Sequence, residues 1–79
     1  MNNIDKIKDC IIVASDFSIG FEALEPTVDV RKFLNDERLW ELRNYLEEDF
    51  QIEIDDSDID RLSTVKAIEE FVLEKHETV

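Results

Sequence analysis

Leu39, Leu42, Leu46 and Phe50 recur at i, i+3, i+7 and i+11, the spacing that puts large apolar side chains on one face of a helix. The pattern predicts a helix over residues 36–50. Asn35 is its N-cap, and Asp36 and Glu37 sit in the first turn, where the helix dipole favours anions. Ile4, Ile7, Ile11 and Ile12 repeat the helical period and predict a helix over residues 3–15, capped by Asn2 or Asn3 with Asp5 in its first turn. Cys10 falls off that stripe and reads as a small residue at the edge of the core. Val65, Ile68, Phe71 and Val72 form a third apolar face, with Ser63 or Thr64 as cap and Lys75 and His76 complementing the dipole at the far end. Residues 77–79 are expected to fray.

Between these stripes the pattern is less regular. Asp16, Ser18, Gly20 and Pro26 interrupt any long helix, yet Phe17, Ile19, Phe21, Leu24, Val28, Val30, Phe33 and Leu34 are apolar. A connection this apolar must lie across the core. Thr27 is placed to cap a helical turn over residues 28–34; the competing arrangement is one helix running from near Thr27 to Phe50. Ile52 and Ile54 alternate with acids in an extended linker, and Asp56 or Ser57 then caps a short turn through Arg61. Periodicity alone therefore gives a small all-α bundle of four helical pieces with a long first connection and a short third piece.

Composition narrows the function classes. Seventy-nine residues make a single domain, residues 1–79, near the lower limit for a core without staples. The 43% hydrophobic content argues against disorder despite 38% charged residues. A formal charge of −12 sets the chain against phosphate backbones and anionic lipid, so nucleic acid is an unexpected partner and a basic protein surface the natural one. Glu47, Glu48, Asp49, Glu53, Asp55, Asp56, Asp58 and Asp60 follow one another with no base among them, a run whose self-repulsion salt should relieve. One cysteine cannot form an internal disulfide, and no apolar run has the length of a signal peptide or membrane span. A cytoplasmic protein without membrane insertion is expected.

Little in the chain points to catalysis or metal binding, and no enzyme activity is expected. Asp56-x-Asp58-x-Asp60 opens like a calcium loop, but Arg61 stands where such a loop needs glycine and Ala67 where it needs a bidentate glutamate. His76 has no second histidine or thiol near it in sequence, and no phosphate-cradling glycine loop or nucleophile elbow is present. Trp40 lies one position past Leu39, at the edge of the stripe. It reads either as a core aromatic or as an exposed anchor for a partner.

The segment Leu46-Glu47-Glu48-Asp49-Phe50, followed by Ile52-Glu53-Ile54 and then Ser63-Thr64-Val65-Lys66-Ala67, resembles the second half of acyl carrier proteins. The resemblance covers about residues 27–72 without a gap. It implies a four-helix carrier fold and a role in fatty-acid, polyketide or peptide assembly. It also puts the family's phosphopantetheine-bearing serine at position 36, where this chain has Asp36 within Asn35-Asp36-Glu37. A carboxylate is a poor nucleophile, would give a labile acyl phosphate, and sets negative charge where a transferase brings a pyrophosphate. No cofactor is therefore expected, 4'-phosphopantetheine included. The resemblance further implies docking to a basic partner enzyme through Glu41, Glu47 and Glu48, with Trp40 beside the groove that accepts an acyl chain in carriers; Arg38 and Arg43 interrupt that acidic surface. The expected function is a binding or regulatory module. The alternatives are an atypical carrier modified on Ser15, Ser18, Ser57 or Ser63, and an unrelated small acidic bundle, such as an immunity or antitoxin protein, that binds a basic protein.

Overall fold

The computed structural model describes residues 3–77, with side chains through Lys75. The chain is all-α: helices α1 (Asn3–Ala14), α2 (Asp36–Phe50) and α3 (Val65–Glu77), and a six-residue 3-10 helix, Asp56–Arg61, between α2 and α3. Single 3-10 turns, Phe21–Ala23 and Val30–Lys32, lie in the connection from α1 to α2. The capping expected of Asn2, the dipole contact of His76 and the fraying of residues 78 and 79 fall outside the described residues.

One contiguous core unites these pieces. Ile7, Ile11, Leu24, Leu42, Leu46, Ile54, Leu62, Ile68 and Phe71 are fully buried, and each removes from water an apolar side chain worth about 1.5–3 kcal/mol. On α1 the buried positions are Ile7, Cys10, Ile11 and Ala14. Cys10 thus belongs to the core at 3% exposure and not to its edge, because it lies three residues past Ile7 on the same face, while Ile12 is only partly buried.

Helix α1 stops without glycine. The Phe17 N–H donates to the Ile12 carbonyl (2.9 Å) and the Asp16 N–H to Val13 (3.0 Å), the paired bonds of a Schellman ending. Asp16 and Phe17 both take positive φ, 59° and 60°, a costly region for residues with a Cβ and above all for a bulky one. Helix α2 starts where the period put it, with the Asn35 side chain accepting from the Arg38 N–H at 2.9 Å.

The first connection crosses the core through Leu24, Val30 and Leu34, all buried. Its second 3-10 turn, Val30–Lys32, is capped by Asp29, whose carboxylate accepts from the Arg31 N–H, and not by Thr27. The continuous helix from Thr27 to Phe50 does not form, because the backbone is extended at Asp29, leaves the 3-10 turn at Phe33 and is extended again at Asn35 before α2. What holds this connection is the start of α3. The Val65 and Lys66 N–H groups, free donors in any first turn, bond to the carbonyls of Val28 (3.2 Å) and Pro26 (3.0 Å). The Val30 N–H bonds to the Ser63 carbonyl at 2.9 Å beside an isolated bridge between Asp29 and Thr64. Thr64 is the cap of α3, its hydroxyl accepting from the Ala67 N–H at 3.0 Å. No helix of the described residues is long and apolar enough to cross a membrane.

Candidate functional site: the outer surface of α2

At 3.6 residues per turn, burial of Leu39, Leu42, Leu46 and Phe50 turns Glu37, Glu41, Asn44 and Glu48 to the opposite side. Glu37 and Glu48 are exposed there, and Glu41 is half-buried beside Arg38, its partner at 3.8 Å. Asp36 opens the helix, exposed, in the positive end of the dipole. The surface formed by these acids runs the length of α2.

Trp40 and Glu47 occupy one flank of that surface. Trp40 is 41% exposed and outside the core cluster, so the core-aromatic reading does not hold. The Arg43 guanidinium lies 4.7 Å from the centre of its ring, a contact worth about 0.5–1 kcal/mol at an exposed site. Arg43 in turn donates Nε–H to the Ile54 carbonyl at 2.8 Å and lies 3.8 Å from Glu47, while Glu47 Oε2 accepts from the Ile54 N–H at 3.0 Å. Glu47 and Arg43 together satisfy both backbone groups of Ile54. An acid expected on the docking surface is thus also the clamp that fixes the linker after α2. Helical spacing sets Glu47 on the flank and Glu48 opposite the core, but that Glu47 clamps Ile54 follows only from where the linker packs.

The other flank faces α1. There the Arg38 Nη1–H reaches the Ala14 carbonyl (3.4 Å) and the Cys10 S–H donates to Asp49 Oδ2 (3.1 Å). Burial, and then the hydrogen bond to the Asp49 carboxylate, push the Cys10 thiol far above the ordinary thiol range, which disfavours the reactive thiolate. An open groove of about 290 Å³ lies over this contact, lined by Asp9, Cys10, Val13, Tyr45 and Asp49.

The acidic run from Glu47 to Asp60 has no base within its sequence, but the fold brings bases to it. Lys75 Nζ lies 3.3 Å from Asp58, and Asp58 also accepts from the Asp55 N–H at 3.3 Å, closing the start of the short 3-10 helix. Asp55 precedes that helix as its cap residue, in place of Asp56 or Ser57. Arg61 pairs with Glu74 at 2.7 Å, which holds the Glu74 carboxyl below the usual range. Asp58, the middle acid of the calcium-like motif, is therefore turned toward α3. Among the described residues no group of three or more metal-ligating side chains converges.

Among the serines, Ser15 is 6% exposed and its hydroxyl donates to the Ile12 carbonyl at 2.8 Å, so it does not present a nucleophile to solvent. Ser18 and Ser57 are exposed and Ser63 half-buried. No protein-family model matches the chain, and no curated protein or solved structure matches it.

Proposed function

We propose that this chain is an acyl-carrier-like binding module without a prosthetic group, which docks a basic partner enzyme of acyl, polyketide or peptide assembly through the outer surface of α2. The observation that carries the reading is the composition of that surface: Asp36, Glu37, Trp40 and Glu48 are all exposed on one helix, with Glu41 between them. A half-exposed tryptophan amid carboxylates is the arrangement of an interface anchor, apolar area ringed by charge that steers a basic partner. The element order supports the family part of the reading, with a long connection before α2 and a short helix before α3. Asp36 supports the loss of carrying chemistry, since the resemblance puts the modified hydroxyl where an exposed carboxylate stands. Glu41 and Glu48 supply docking charge; Glu47 keeps Arg43 beside Trp40 and contributes charge only at the edge.

The test is capture of the partner from lysate of the native host on immobilised chain, at low and at high salt. Capture should weaken as salt rises, and should fall in a Glu41→Lys, Glu48→Lys variant and in Trp40→Ala. Capture that ignores both the salt and these substitutions contradicts docking through α2.

A further inference from the structure

The groove between α1 and α2 combines an apolar floor, Cys10, Val13 and Tyr45, with one carboxylate from each helix, Asp9 and Asp49. Asp29, Glu41, Glu47, Asp58 and Glu74 each have a base within 4.0 Å, but among the described residues neither Asp9 nor Asp49 does. Asp49 is held instead by the Cys10 thiol. A neutral donor fixes where the carboxylate sits without cancelling its charge. The groove therefore offers unneutralised anions, one of them pinned, beside apolar surface that includes a half-exposed Val13.

We propose that this groove seats an arginine side chain of a basic protein partner, its stem along Val13 and Tyr45 and its guanidinium between Asp9 and Asp49. Arginine fits better than lysine because its planar fork can meet two carboxylates, sheds water more readily, and stacks on an aromatic ring. A second copy of this chain is a poor occupant. Its own arginines are already engaged, Arg31 with Asp29, Arg38 with Glu41, Arg43 with Glu47 and Arg61 with Glu74, and two chains of charge −12 repel. The inference deepens the docking reading, on which it rests for the existence of a basic partner. It places one arginine contact on the α1 flank, across α2 from Trp40.

The probe is a blocked leucyl-arginyl-leucine peptide titrated into the isotopically labelled chain, with the glutamine-centred peptide as its neutral counterpart. The expected result is saturable amide shifts centred on Asp9, Cys10, Val13, Tyr45 and Asp49 with the arginine peptide only. An Asp9→Asn, Asp49→Asn double variant, which keeps an acceptor for the Cys10 thiol, should weaken binding about tenfold at an unchanged melting temperature. Glu22→Gln, Glu25→Gln, at exposed acids of the first connection, should leave it as it was. Shifts spread evenly over the acids of every element, no shift at saturating peptide, or equal binding by the asparagine variant would each overturn the groove. Weakening by a Glu41→Gln, Glu48→Gln variant and not by the asparagine variant would overturn the groove and leave docking through α2 standing. Partner capture that ignores both the salt and the α2 substitutions would remove the docking reading, whatever the peptide does.

Discussion

The first turn of α3 is covered by the chain that precedes α2, whereas the first turn of α2 faces solvent. At α3 the free amides of Val65 and Lys66 end on the Val28 and Pro26 carbonyls, and Thr64 takes the Ala67 amide. At α2 the side-chain cap is Asn35, and Asp36 and Glu37 after it are exposed. The two starts have similar local sequence logic, a polar cap before a polar-apolar period, yet one is a structural joint and the other an open surface. The difference teaches that a helix start is free to bind something only where the rest of the chain has not already used its donors.

Leu24→Ala should break the comparison most. Leu24 is fully buried in the first connection, so its truncation should cost about 2–5 kcal/mol in a urea melt. It should also open the joint, so that the Val65 and Lys66 amides exchange hydrogen faster while the first-turn amides of α2 exchange as before. Glu47→Ala comes next, at about 1–3 kcal/mol, because it leaves the Ile54 N–H without its acceptor. Glu48→Ala, one residue on and exposed, should change stability by less than about 0.5 kcal/mol in the same melt. Thr64→Ala and Asn35→Ala remove the two caps, at about 1 kcal/mol each. Only the first should speed exchange in the connection as well.

A further test concerns pH. The native Cys10 thiol keeps its proton where the unfolded chain, with an ordinary thiol near pH 8.5, releases it. The folded value is raised, so its contribution is fully present below the unfolded value and declines as pH climbs past it. Melts across roughly pH 8–10 should show a downward slope that Cys10→Ala flattens.

Much of this arrangement was legible in the sequence, and the omissions have physical causes. The Leu39, Leu42, Leu46, Phe50 stripe and Asn35 set α2, and Ile4 through Ile12 set α1 to within a residue, because helical period and caps are local properties. The first connection was legible only as apolar. Its fastening to α3 is a pairing of residues 26–30 with 63–66, which no local pattern encodes. Cys10 was read from an isoleucine stripe that hid its place beside Ile7, and its bond to Asp49 joins positions 39 apart. Glu41, Glu47, Glu48 and Trp40 were all legible as candidate contacts; that Glu47 clamps Ile54 depends on where the linker turns after Gln51, whose φ of 55° redirects the chain.

On the proposed reading, the open start of α2 is an exposed position that a phosphopantetheinyl transferase cannot load, because Asp36 stands where the resemblance puts the serine. Intact mass spectrometry after incubation with coenzyme A and a broad-specificity phosphopantetheinyl transferase tests it most directly. A variant with the family's Asp-Ser-Leu restored, Asn35→Asp, Asp36→Ser, Glu37→Leu, serves as the loaded counterpart. The account predicts no mass change for the natural chain and a single phosphopantetheine on the variant. A phosphopantetheine-sized gain on the natural chain would contradict it.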